Sequence, residues 1–347
     1  MFDGCTEGYA TAIVHEEPNV SVPSEVPLPT GRGPLSSWVI DHLLGGRCGA
    51  PPPPGPDQGL DDDLQLALYL CYELHYSTFA GVAADAEWDP ELIRFRSGLE
   101  RAFGSALHTL VGPATITGPI SAVIPALIDA DDGPSLSSHM ETVGTIAQMR
   151  QIVLHRSAYQ LKEGDGHTFA VPRLRGRAKQ LLVEIQAGEY GADAPDRTMH
   201  SELFAQTMRS LGLDDRCNAH LDVLPASALA VSNLVSLFGL NRRWRGALVG
   251  HLTVFEMTSV EPMGRYSRAL ERLGASPEAR RFYDVHVMAD AEHEQLAMAM
   301  ATALVADEPG LEPDVVFGAR CSLAIDARFG AALMAGWSAA HVDTRAA

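Results

Sequence analysis

From Asp61 onward, apolar residues recur three and four positions apart in stretch after stretch, and long two-residue alternation is absent. That is the helical period, so the chain is predicted to be all-α with a bundle at its centre. Asp61, Asp62 and Asp63 open the first long helix, where acidic side chains suit the positive end of the helix dipole. Further helices are predicted over residues 88–110, 135–163, 176–189, 196–211, 225–238, 243–260, 264–273, 277–306 and 313–340. Pro195 and Pro277 stand near helix starts, where proline is tolerated. Residues 111–135, rich in Gly, Pro, Ser, Thr and Asp, read as a long irregular connection, and 164–172 as a break. A short helix over 35–44 precedes the proline-rich stretch 45–59, and residues 1–34 read as a loosely attached tail. The expected organisation is a partly disordered tail and linker over 1–59, a helical extension over 60–134, a main domain over 135–340 and a tail over 341–347.

Composition narrows the function. The chain has 347 residues, 46% of them hydrophobic, and a net charge of −18 from 26 basic and 44 acidic residues. Such an acidic surface repels phosphate backbones and anionic lipid, so neither nucleic acid nor membrane is expected as a partner. No apolar run reaches the length of a bilayer span. The first residues lack the basic and apolar segments of a secretory signal, and the expected location is the cytoplasm. Five scattered cysteines without a CxxC pair argue against a disulfide framework or a zinc ribbon. Cys71 and Cys321 fall in apolar helical patterns and are expected to be inert core residues.

The candidate chemistry centres on YDVHVMADAEHEQ, which spaces His286, Asp290 and His293 as His-x3-Asp-x2-His. At helical periodicity the three side chains fall within roughly 60° of one face. Two imidazoles and a carboxylate suit a divalent transition metal, and ferrous iron in particular. The bland alternative is a polar helix face in a chain with 13 histidines. Three more candidates come from other helices. His200 borders the apolar face of an amphipathic helix. Glu256 sits in the almost wholly apolar LVGHLTVFEMTS, where an unpaired carboxylate would cost several kcal/mol, roughly. Glu189 closes the helix QLLVEIQAGEYG, opposing its dipole, with Glu184 and Asp196 as competing carboxylates. Six ligands exceed what one catalytic metal with open positions needs, and they fit two irons bridged by a carboxylate. Paired Glu-x-x-His motifs of the ferritin-like type are absent.

At these residues the chain resembles the haem-oxygenase-like di-iron oxidases, also described as iron-containing redox enzymes. His286, Asp290 and His293 match the late motif of that family, His200 its early His, Glu256 its middle Glu, and Glu189 the early Glu of a related branch. The stretch from Glu189 to His200 is one residue longer than in the family, which leaves Asp196 as a competing assignment. Glu163 in HRSAYQLKE resembles a further acidic position of that branch. The resemblance covers about residues 61–340. It implies a seven-helix haem-oxygenase-like core with an N-terminal helical extension, two Fe(II) per chain and O2 as co-substrate. It also implies oxidation of a small amine, amino acid or carboxylate by N-oxygenation, C–C cleavage or decarboxylation. The rival readings are a metal-free thiaminase-type hydrolase, a non-enzymatic all-α ligand-binding protein, and haem binding through a lone axial His. Arg242, Arg243 and Arg245 around Trp244 either steer an anionic substrate or form a solvated helix start. Glu73 and His75 are read as supporting or core hydrogen-bonding groups rather than ligands. A homodimer is the default assembly.

Overall fold

The computed structural model describes residues 25–46, 49–115, 117–192 and 196–346, with side chains up to 339. Its helices are, in chain order, α1 (Pro34–Leu43), α2 (Asp62–Glu73), α3 (Pro90–Val111), α4 (Ile120–Asp129) and α5 (Leu136–Thr142). There follow α6 (Ile146–Gln160), α7 (Asp165–Thr168), α8 (Gly176–Glu189), α9 (His200–Ser210) and α10 (Ala226–Leu240). The last four are α11 (Arg245–Met257), α12 (Val260–Arg272), α13 (Pro277–Asp307) and α14 (Glu312–Ala346). Among the described residues there is no strand, so the fold is all-α. No described helix is long and apolar enough to cross a membrane.

Local chemistry sets the helix starts. The Asp61 carboxylate accepts from the Leu64 amide, and Asp89 accepts from Glu91 and Leu92 ahead of Pro90. Ser276 caps α13, with Pro277 in its first turn. Asp63 is buried because it caps a neighbour: its carboxylate accepts from the Leu35 and Ser36 amides at the start of α1.

Helix α13 packs against α8, α9, α11 and α12. Helix α11 in turn lies on α14 at close range. A Cβ at Gly250 would land on the Val315 carbonyl oxygen, and one at Gly318 on that of Ala247. Buried apolar residues from Val26 to Trp337 form one continuous core that includes α1–α3.

Several boundaries differ from those predicted. The 135–163 stretch is two helices, broken at Val143–Gly144, because Thr145 starts α6 with a capping box closed by Gln148. Residues 111–135 hold α4, whose Ile120, Val123 and Ile124 are buried; Pro125 and the flanking breakers hide that spacing. The 164–172 break contains the single turn α7. Helix α9 starts at His200 rather than 196, and α12 starts at Val260 because Pro262 fits its first turn. Residues 25–34 are not a loose tail. Val26 is buried, its carbonyl accepts from Ala80, the Thr30 amide donates to Asp222, and Arg32 donates to the Leu221 carbonyl. The expected disorder of residues 1–24, together with Cys5, Cys48 and Pro195, lies outside the described residues.

Candidate metal centre

Seven buried side chains from five places in the chain converge beside α13. Glu163 follows the end of α6. Glu189 is the last residue of α8 and His200 the first of α9. Glu256 comes from α11, and α13 contributes His286, Asp290 and His293 at helical spacing. Their donor atoms fall into two groups, each within 4.8 Å: Glu163, Glu189, His200 and His286; and Glu189, Glu256, Asp290 and His293. Glu189 belongs to both. Asp196 is not part of either group; it is exposed and paired with Arg281 at the surface. Glu184 is also exposed. Of the competing carboxylates, only Glu189 is in the cluster.

The rings are oriented from behind. His286 Nδ1 donates to the Phe282 carbonyl at 2.7 Å, which turns Nε2 toward Glu163 Oε2 at 3.5 Å. His293 Nδ1 lies 3.5 Å from both Glu189 Oε1 and Glu256 Oε2. The Ser259 hydroxyl faces Asp290. His200 Nδ1 is 2.9 Å from Glu189 Oε2, yet the two atoms are not aligned as a hydrogen bond.

This cluster gathers buried polar atoms without hydrogen-bond partners among the described residues. They are both oxygens of Glu163 and of Asp290, Glu189 Oε2, His200 Nδ1, His286 Nε2 and His293 Nδ1. Leaving such atoms unpaired costs on the order of 1–3 kcal/mol each. Charge tells the same story. Burial alone pushes the His286 imidazole down, but Glu163, Asp290 and Glu189 outweigh it and hold it up to about 10. Burial likewise opposes His293, which Glu189 and Glu256 raise to about 11. Burial first, and the Glu189 charge with it, raises Glu163 and Asp290, and lifts Glu256 to about 8. Glu189 goes the other way: burial is overcome by His200, His293 and His286, which hold it well below the usual carboxylate range. Without a cation, clustered carboxylates are balanced only by protons on imidazole and carboxyl groups. A pair of divalent cations would replace those protons and give every orphaned atom a bond. Hard oxygen and borderline nitrogen donors together suit iron.

A cavity of about 430 Å3 abuts the cluster, with Gln160, Ser259 and Tyr283 in its wall. Sequence reasoning did not find it, because cavity-lining residues carry the same helical periodicity as core. Its cations are Arg156 and Arg265. The arginines singled out from the sequence lie elsewhere: Arg242 and Arg243 are exposed, Arg243 covers the Trp244 ring, and Arg245 pairs with Glu308. Glu73 is a core group bound by Lys162, Asn218 and Ser77, and His75 donates to Glu87 while accepting from Arg96. Cys217 lies 3.7 Å from Glu73, but burial pushes its thiol up to about 12, away from the thiolate a nucleophile needs. Burial does the same to Cys71.

Residues 150–327, just over half of the chain and a span that includes all seven cluster residues, match the family model described as iron-containing redox enzyme. No curated protein matches the chain.

Proposed function

The chain belongs to the family of iron-containing redox enzymes, and from that premise we propose that it is a non-haem di-iron oxidase using O2 to oxidise a small amine, amino acid or carboxylate. The fold is an all-α, haem-oxygenase-like bundle, and the residues present fit a pair of metal ions. The observation that carries the reading is the shared position of Glu189, whose two oxygens face two separate donor groups. One cation would be held by Glu163, His200 and His286, the other by Glu256, Asp290 and His293, with Glu189 between them.

Bound iron would supply the one-electron steps and the affinity for O2 that amino-acid side chains lack. The chain's own residues do the rest. Four carboxylates offset the cationic charge, so the pair is held in a nearly neutral, buried site. The Phe282 carbonyl orients the His286 ring, and the Ser259 hydroxyl donates to the Glu256 carbonyl at 3.0 Å. Phe282 packs on the His286 ring with Phe204 behind it, and this apolar side keeps bulk water away from the cluster. Small-molecule access runs through the adjoining cavity.

Anaerobic titration of metal-free protein with Fe(II) tests this directly. Saturation near two irons per chain, followed by O2 uptake in the loaded protein, is the expected result. Saturation near one, with Glu163→Gln leaving it unchanged, would replace the di-iron reading with a single facial site on α13.

A further inference from the structure

The cavity beside the metal centre is graded from wet to dry. Three wall residues each stand three positions from a cluster residue: Gln160 from Glu163, Ser259 from Glu256, and Tyr283 from His286, the last pair on one helix. At that end Ser259 neighbours Asp290 and Tyr283 lies within the field of Glu163, and Gln160, Ser259 and Tyr283 are only 5%, 7% and 3% exposed. Arg156 lies one turn back from Gln160 on α6. Its side chain is 17% exposed, and that of its partner Asp326 is 60% exposed, so this pair marks the mouth. Arg156 and Glu163 are seven positions apart, with α6 ending at Gln160 between them. The wall also carries apolar side chains, among them Val231, Leu234, Val254, Leu323 and Ile325.

Among the described residues, Arg156 is the mouth cation suited to a ligand. Arg265 is committed to Glu261, Glu141 and Ser138. Arg156 is stacked 4.2 Å over the Phe329 ring, which fixes the plane of its guanidinium, and its Nη2 donates to Asp326. A guanidinium carries five donors in a planar fork that matches a carboxylate. Asp326 is solvent-facing, so a ligand carboxylate can share or displace it at little desolvation cost.

We propose that this cavity binds an amphipathic monocarboxylate tail first. Arg156 receives the carboxylate at the mouth, the apolar tail fills the middle, and the far end of the tail lies against the metal centre. Arg156 is then a specificity-determining residue, and the carbons nearest the centre are those remote from the carboxylate. As a statement about an oxidase substrate this rests on the di-iron reading; as a statement about binding it does not.

The test is calorimetric titration of the full-length, metal-free protein with octanoate, octylamine and butanoate. Octanoate is expected to bind saturably at one site. Octylamine lacks the anion and butanoate the length to span the cavity, so each is expected to bind about tenfold or more weakly. Arg156→Gln should lower octanoate affinity by about tenfold or more, whereas Asp326→Asn, which removes the competing carboxylate, should hold or raise it. If Arg156 is only a clasp between α6 and α14, the two variants will weaken octanoate binding alike, and the proposal is overturned. Equal binding of octanoate and octylamine, or binding that never saturates, overturns it as well. Because no metal is present, failure here leaves the di-iron reading standing, and a failed iron titration leaves this one standing.

Discussion

At the scale of single residues, protonation separates groups that need a cation from groups that only need a core. Glu256 is held up to about 8, so near neutral pH the metal-free protein already carries it mostly as the acid. Glu256→Gln therefore removes a candidate ligand without removing a charge the apo fold depends on. In chelator its stability is expected within about 1 kcal/mol of the parent, while the gain on adding Fe(II) anaerobically shrinks markedly. Thermal melts with and without metal read both numbers. The buried pair His167 and His251 behaves differently. His167 Nε2 and His251 Nδ1 are 3.1 Å apart; burial holds His167 down to about 4 and His251 well below its ordinary value. An unfolded imidazole takes up a proton near pH 6.5, where the folded one does not, so this pair favours the folded state above that pH and loses the contribution as pH falls toward 4. Urea melts from pH 8 to pH 5 are expected to show stability falling below about 6.5. In His167→Gln the slope should be shallower by up to about 1.4 kcal/mol per pH unit, one proton's worth.

At the scale of elements, the cluster depends on where helices end. Helix α8 stops at Glu189, and α9 begins at His200, so both side chains project from termini into the space beside α13. Gly164 enforces part of this. It has φ +88, and an added Cβ would sit 3.2 Å from the Glu189 Cβ and 3.3 Å from Gln186 Oε1. Gly164→Ala is expected to cost about 1–2 kcal/mol in folding from the left-handed backbone alone, and to weaken iron binding because the new methyl presses on the shared carboxylate. Parallel melts and Fe(II) titrations check it; loss of stability with unchanged iron affinity would remove Gly164 from any role at the centre. Element by element, the legible parts of the site were those where chemistry contradicts a local pattern. Three polar side chains on one face of α13, and a carboxylate inside the apolar α11, stand out because the helical period sets an expectation for them to break. Glu163 stood out far less: it lies past the end of α6, where acidic residues are ordinary, and only the turn at Gly164 brings it inward. Arg156 was invisible for the converse reason, since an arginine on a half-buried helix face reads as solvated. The fold class was legible because periodicity survives in every long helix. The break at Gly144 and the Pro-containing α4 were not, because there capping and tertiary packing override local propensity.

At the scale of the whole molecule, the question is whether the N-terminal helices are a separate unit or part of the scaffold that holds the buried His and carboxylate cluster. The contacts favour one unit. Helix α2 packs on α10, which also touches α6, α7, α11 and α14. Its fully buried Glu73 pairs with Lys162, the residue immediately before Glu163, while the Lys162 ammonium lies 4.4 Å and 4.6 Å from the Tyr69 and Tyr76 ring centroids. Tyr69 and Glu73 both bond to Asn218 between α9 and α10. A buried pair of this kind is strongly destabilising to break from one side, by about 3–5 kcal/mol, because the remaining charge is stranded. The extension therefore cannot be released without disturbing the turn that presents Glu163. Cations that bind only the folded state stabilise it by mass action, about 2.7 kcal/mol for one site at a hundredfold excess over its dissociation constant. Because the core is continuous, that gain should appear as the upward shift of a single melting transition that includes the tryptophan signals of Trp38 in α1 and Trp337 in α14. Two transitions, with only one moved by iron, would instead show that residues 60–134 fold apart from the centre. Calorimetry on the full chain, with and without anaerobic Fe(II), distinguishes the outcomes. Glu73→Gln should lower the single transition in both conditions, since it strands Lys162 beside the turn that carries Glu163 whether or not iron is added.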